Sequence, residues 1–266
     1  MGEEKSKLVI ALTPAASKRL IARGVARLPE VQRALKHGTI VIALGTTNAF
    51  VAEELVAALP GAQSKLEKGR YAAGVVTSSG LCIVPKSDRL NEVIIKNGRV
   101  SVASLEAALA ELSASDVFIK GANALDPTGT AGIMMANRQG GTIGSALGII
   151  MSRGVHFIIP VGLEKTVLYP LAEASKRLGI ERCYKALGWP VGVMPVHGKV
   201  ITEVEALKLL GADDAFSIGA GGVNGGEGSV ILCVEGSRDK LDELMTLAVE
   251  LKGEPAVTVT TENCTP

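Results

Sequence analysis

Apolar positions recur at helical spacing among Lys and Arg over residues 13–34, and Thr13 ahead of Pro14 is a helix start signal. One or two helices are therefore expected to open the fold and to end at Gly38. TIVIAL, residues 39–44, is a short β-branched run bounded by turn residues, and NAFVAEELVAALPG behind it has helical periodicity closed by Pro60 and Gly61. The strand, tight turn and helix recur downstream. YAAGVVTSSG ends an apolar run in a Thr-Ser-Ser-Gly turn, and CIVPKSDRLNEVIIKNGRVSV reads as a hairpin around Lys96, Asn97 and Gly98, with SLEAALAELSA as the next helix. DVFIKGANALDPTGT gives a third strand and loop, GGTIGSALGIIMSRG a glycine-opened helix, and VHFIIPVG a fourth strand whose lack of polar alternation predicts cover on both faces.

Strands alternating with helices predict an α/β fold, a Rossmann-like open parallel sheet with helices on both faces and right-handed crossovers. After WPVGVMPVH the pattern changes. AFSIGAGG, SVILCVEG, the helix SRDKLDELMTLAVELKG and PAVTVTT predict a β-β-α-β piece, a small C-terminal α+β, ferredoxin-like subdomain. The expected division is an α/β ligand-binding domain over 1–193 and a subdomain over 194–266, with a possible return of the chain to the main sheet.

Composition narrows the function. At 266 residues with 47% hydrophobic content, the chain is long enough for a substantial core. A net charge of +1, with no block of Lys or Arg and no interleaved aromatics, provides no footprint for nucleic acid. The start MGEEKSK lacks an apolar signal core, and Arg153 and His156 interrupt the apolar stretch 141–161, so neither a leader nor a membrane span is expected and a cytoplasmic setting is. Cys82, Cys183, Cys233 and Cys264 are widely separated, with no Cys-x-x-Cys pair, which predicts reduced thiols and no metal site or disulfide framework. No cofactor is expected.

In an open parallel sheet, ligands bind outside the carboxyl ends of the strands. Three such ends are expected to carry Gly45-Thr46-Thr47-Asn48, Thr77-Ser78-Ser79-Gly80 and Gly121-Ala122-Asn123. Glycine admits a ligand close to the backbone, and amides at a helix N-terminus helped by hydroxyls favour phosphate or carboxylate. Thr46, Thr47 and Asn48 are equally good helix caps, and the same choice applies to Gly140, Gly141 and Thr142. The ligand reading rests on several loops of one type at consecutive strand ends.

VIALGTTNAFVAEEL resembles the strand, Gly-Thr-rich phosphate loop and helix of the superfamily that includes ribose-5-phosphate isomerases, glucosamine-phosphate deaminases, sugar-sensing domains of bacterial repressors and CoA transferases. DVFIKGANALDP is similar to the Asp-Gly-Ala-Asp-x-x-Asp-Pro segment of the isomerases, WPVGVMPV to their Pro-Val-Glu-Val-x-Pro stretch, and GTIGSALGIIMSRGVHFIIPV to methylthioribose-phosphate isomerases and related initiation-factor subunits. The resemblance runs over residues 39–259 in order. It implies a small anionic, phosphorylated, sugar-like ligand, a homo-oligomer, and isomerase-type chemistry around Lys120, Asn123 and Asp126.

Lys120 and Asn123 stand where the isomerases carry their first two aspartates, and only Asp126 matches an acid. Asn is no general base, so a non-catalytic ligand-sensing or partner-binding member of the same fold is the alternative. Lys120 has three open readings: contact with an anion, a Schiff base if its pKa is depressed, or a bridge to a surface acid. Asp126 before Pro127 is either an acid-base group or a turn residue. Glu164 and Lys165 follow the fourth strand and either reach the pocket or pair at its edge. Glu227 is either the counterpart of the nucleophilic Glu in the CoA transferases' Gly-rich turn or a hairpin-turn residue, Lys86 and Arg89 are a basic rim or a solvated hairpin, His156 is read as a core histidine rather than a base, and His197 as exposed.

Overall fold

The computed structural model describes residues 6–61 and 65–265. Strand β1 (Ser6–Leu12) leads into α1 (Pro14–Ala26), where the Thr13 hydroxyl accepts the Ala16 amide and Pro14 occupies a first-turn position that needs no donor. Helix α2 (Pro29–His37), strand β2 (Thr39–Ile42) and helix α3 (Thr46–Ala57) follow. The chain then forms two hairpins, β3 (Gly74–Thr77) with β4 (Gly80–Ile83), and β5 (Val93–Lys96) with β6 (Arg99–Ser101). The second turns at Asn97 and Gly98, both at positive φ as a two-residue hairpin of type I′ requires.

Helix α4 (Leu105–Glu111), capped by Ser104, precedes β7 (Val117–Ile119), β8 (Ala124–Leu125) and β9 (Ala131–Met135). Helix α5 (Gly141–Arg153) is bracketed by Gly140 and Gly154, both left-handed, and leads to β10 (His156–Pro160). Helix α6 (Leu171–Arg177), β11 (Gly192–Val196), β12 (Lys199–Ile201), α7 (Glu203–Leu209), β13 (Asp214–Gly221), β14 (Ser229–Gly236) and α8 (Arg238–Leu251) complete a mixed α/β structure with eight helices among the described residues.

The main sheet has the order β12-β10-β7-β2-β5-β6. Strands β12, β10, β7 and β2 are mutually parallel, while β5 and β6 extend the sheet antiparallel. The expected parallel sheet is thus corrected at one edge: β5 joins β2 antiparallel after a long connection, and the tight Asn-Gly turn then returns β6 antiparallel to β5. Side chains alternate across this sheet. Ile40, Ile42 and Ile119 face α1, α2, α3 and α7 in one apolar cluster, whereas Val41, Ala43 and Phe118 face α4 and α5 in another. Such cover on both faces explains why VHFIIP shows no polar alternation. The close α1–α7 crossing depends on Gly24, where a Cβ would lie 2.7 Å from the Ala206 Cα.

The second sheet, β1-β14-β13, is antiparallel throughout. It corrects the expected β-β-α-β piece: the third strand comes from the N-terminus, and PAVTVTT forms no strand. Strand β12 pairs with β10 at the edge of the main sheet. Met194 lies inside β11, and one apolar cluster joins Ile10, Val230 and Val234 to Ile40 and Ile158.

The four cysteines do not all remain thiols. Cys82 on β4 is bonded to Cys264, and the pair is separated by 182 residues. Sequence spacing concealed the proximity because the C-terminal segment folds back onto β4, where Asn263 and Ile83 exchange backbone hydrogen bonds of 2.7 and 2.9 Å. Cys183 is exposed and Cys233 buried, both free. Among the described residues, no helix is long and apolar enough to cross a membrane.

Candidate functional site

The chain reverses its direction across the sheet at β2: β5 and β6 lie on one side, β7, β10 and β12 on the other. Helix α3, after β2, packs on one face, and α5, after β7, on the opposite face. The loops leaving β2 and β7 therefore part above and below the sheet and open a crevice at its carboxyl edge, the place where open α/β sheets bind ligands.

Tyr71 fixes the first loop. Its buried hydroxyl donates to the Ile42 carbonyl at 2.5 Å and accepts the Val93 amide at 2.9 Å, while its own carbonyl accepts the Gly45 amide at 2.8 Å. Burial, with Glu92 adding, raises the phenol well above its ordinary pKa, so it stays neutral. Asn48 joins the two loops, donating its Nδ2 to the Ala43 carbonyl at 2.6 Å and, across to the end of β7, to the Ile119 carbonyl at 3.5 Å. Gly121 permits this approach, since a Cβ there would lie 3.2 Å from Asn48 Oδ1.

The N-cap of α3 is Gly45, with no side-chain capping bond, so neither Thr46, Thr47 nor Asn48 caps the helix. Thr47 is 2% exposed and its Oγ1 has no hydrogen-bond partner. An unpaired buried hydroxyl costs about 1–3 kcal/mol. Together with the first amides of α3, which lack intrahelical acceptors, it forms a donor-rich end to the crevice.

A cavity of about 150 Å³ occupies the centre, bordered by Gly45, Thr46, Thr47, Lys120, Gly121 and Lys165 among others. Asn123 also borders it, with its Oδ1 accepting the Met134 amide at 3.0 Å. Lys120 donates to the Leu44 carbonyl at 3.1 Å, and Lys165 to that of Ala122 at 2.9 Å. Among the described residues, no carboxylate lies within ion-pairing distance of either lysine. Burial lowers the Lys120 ammonium to about 8, with Glu92 opposing and Lys165 assisting. Burial likewise lowers Lys165, against the pull of Glu164. Two amines face one cavity without a counter-ion.

Two larger spaces adjoin the centre. One, of about 380 Å³, shares Lys120 and is bordered by Arg89, Gly140, Gly141 and Thr142. The other, of about 970 Å³, shares Lys165 and is bordered by Thr77, Glu227 and the C-terminal segment at Val257 and Glu262. That segment is held by the disulfide, by Trp189 Nε1 donating to the Asn263 carbonyl at 3.0 Å, and by Arg19 donating to Glu254 at 2.8 Å. Cys82, Cys264 and Glu262 are a cluster of metal-ligating residue types, but both sulfurs are spent on the disulfide.

The expected site residues thus divide. Gly45, Thr46, Thr47, Lys120, Gly121 and Asn123 meet at the centre; Gly140, Gly141 and Thr142 border the space beside it. Thr77, Ser78, Ser79 and Gly80 belong to a separate two-stranded ribbon, which corrects their placement at a carboxyl end of the main sheet. Ser78 and Ser79 are exposed, and only Thr77 reaches the larger space.

Asp126 borders none of these three spaces. Its Oδ1 accepts the amides of Thr128 and Thr130 and the Thr128 hydroxyl, and its Oδ2 accepts the Leu171 amide. Burial works against its charge, yet these bonds outweigh burial and hold the carboxyl below the ordinary Asp value. The turn reading describes this residue. Arg89, one of whose readings from sequence is a solvated hairpin, is half-buried and donates to the Val84 carbonyl at 2.6 Å.

At the next strand end, Lys18 pairs with Glu164 at 3.2 Å, and Glu203, fully buried, accepts the Leu163 amide at 2.9 Å. Glu164 Oε2 and Glu203 Oε1 have no partner. No protein-family model, curated protein or solved structure matches this chain.

Proposed function

We propose that the central cavity binds a small anionic metabolite, phosphorylated and sugar-like, in a divergent, Rossmann-like member of the superfamily whose motifs the chain resembles. The observation that carries this reading is the pair of amines, Lys120 and Lys165, facing the N-terminus of α3 without a carboxylate among them. An anion would supply the missing counter-charge and accept from the Thr47 hydroxyl. The cavity's small volume suits the charged head of a ligand, and the adjoining spaces suit its remainder. Catalysis of the isomerase type would fall to Lys120 and Asn123, with Asp126 supporting the loop.

A non-catalytic binding role is the second reading, favoured by the engagement of Asp126 in its own turn. Thermal unfolding against a panel of sugar phosphates, nucleotide sugars and CoA esters tests the shared premise. A ligand at 100 times its Kd adds about 2.7 kcal/mol of stability. The expected result is a shift with a phosphorylated class that is lost in Lys165→Met; absence of any shift across the panel would overturn both forms of the reading.

A further inference from the structure

We infer that Lys120 is a covalent amine, condensing with the carbonyl carbon of the bound ligand to form an imine, which makes that ligand an anionic aldehyde or ketone such as an open-chain sugar phosphate. This rests on the anion-binding reading and narrows it. Among the described residues, Lys120 is the only lysine bordering both the central cavity and the space beside Arg89, so its amine stands at the junction where the middle of an extended ligand would lie.

Its support is rigid. The Lys120 amide donates to the Ile158 carbonyl at 3.1 Å, directly beyond β7, and Gly121 beside it leaves room for a ligand close to the backbone. The amine has one hydrogen-bond acceptor, the Leu44 carbonyl, and no ion pair among the described residues. A lysine kept for charge alone is expected to be solvated or paired. Burial instead favours the neutral, nucleophilic form, reached above about pH 8.

The step balances without a redox partner. The nitrogen lone pair attacks the carbonyl carbon, forming a C–N bond; the two amine hydrogens leave with the carbonyl oxygen as water. Lys165 borders the same cavity and is the ammonium placed to protonate the departing oxygen. Once protonated, the imine withdraws electrons from the adjacent C–H bond. That effect lowers the demand on a base and gives a chemical sense to a site with Lys120 and Asn123 in place of carboxylates.

The test is borohydride trapping. The protein is incubated separately with ribose 5-phosphate, dihydroxyacetone phosphate and pyruvate, reduced, and examined by intact-mass and peptide mass spectrometry. At least one probe is expected to add its own mass less one oxygen atom to the Lys120 peptide, with a yield that rises through about pH 8. Lys120→Arg, with circular dichroism confirming that it is folded, should lose the label, while the thermal shift given by the polyol ribitol 5-phosphate is read on the wild type. Lys165→Met should still be labelled, at higher probe concentration.

A thermal shift with ribitol 5-phosphate but no label at Lys120 from any probe would overturn the covalent role and leave the anion site standing. Equal labelling in Lys120→Arg would also overturn it. If neither the polyol phosphate nor any probe binds, the anion reading itself fails and the imine with it.

Discussion

Glu203 offers a quantitative test of the carboxyl edge. It lies at 0% exposure at the start of α7, with one oxygen bound to the Leu163 amide and the other unpartnered. Burial, with the nearby Glu164 charge adding, raises its carboxyl from 4.5 to about 7. Between these values the folded chain holds a proton that the unfolded chain has released, so stability is greatest below about pH 4.5 and falls as pH rises towards 7. At about 1.4 kcal/mol per pK unit, the total loss is about 3 kcal/mol. Glu203→Gln keeps the shape and an acceptor for Leu163 but cannot ionise. Urea unfolding of both proteins from pH 4.5 to 8 should show the variant gaining about 3 kcal/mol on the wild type, with the change concentrated between pH 5 and 7. The comparison cancels other titrating groups. A difference independent of pH would refute the reasoning and place Glu203 in contact with water.

Four further outcomes are expected. Thr47→Val should raise the stability of the free protein by about 1 kcal/mol by removing an unpaired buried hydroxyl, while weakening phosphate binding; calorimetry and thermal unfolding read the two effects separately. Asp126→Ala should cost about 2–4 kcal/mol by stripping acceptors from the amides of Thr128, Thr130 and Leu171, with ligand affinity retained in the folded fraction. Gly24→Val should destabilise by about 2–3 kcal/mol through overpacking against Ala206, measured by urea midpoint. Cys264→Ser should cost up to about 2–4 kcal/mol and expose residues 253–265 to proteinase K, whereas unchanged protection would show that hydrogen bonds alone hold the segment.

The crevice was legible because strand, small-residue turn and helix repeat in order, which is enough to place 45–47 and 120–123 at neighbouring strand ends. What escaped the sequence reading lacks local contrast. In β1, Val9 is 57% exposed, so SKLVIAL shows apolar residues on both faces and no clean two-residue period. PAVTVTT has the alternation of a strand, but strand formation needs an edge to pair with, and this segment lies instead against Gly69, where even a Cβ would collide with the Thr258 carbonyl. Thr46 and Thr47 have the chemistry of caps, yet Gly45 takes the cap position. Arg89 and Glu92 enter the site region from the segment before β5, and no motif announces a contact made only by folding.

The most direct test of the anion-binding cleft is calorimetric titration of ribose 5-phosphate into the wild type and into the Lys120→Met/Lys165→Met double variant, with circular dichroism confirming that both are folded. Charge-assisted hydrogen bonds are worth about 1.5–3 kcal/mol each, so one site per chain should be found in the wild type and affinity should fall at least about a hundredfold in the double variant. Equal affinity in the two proteins, or saturable binding at a site that the paired substitutions leave untouched, would contradict the account.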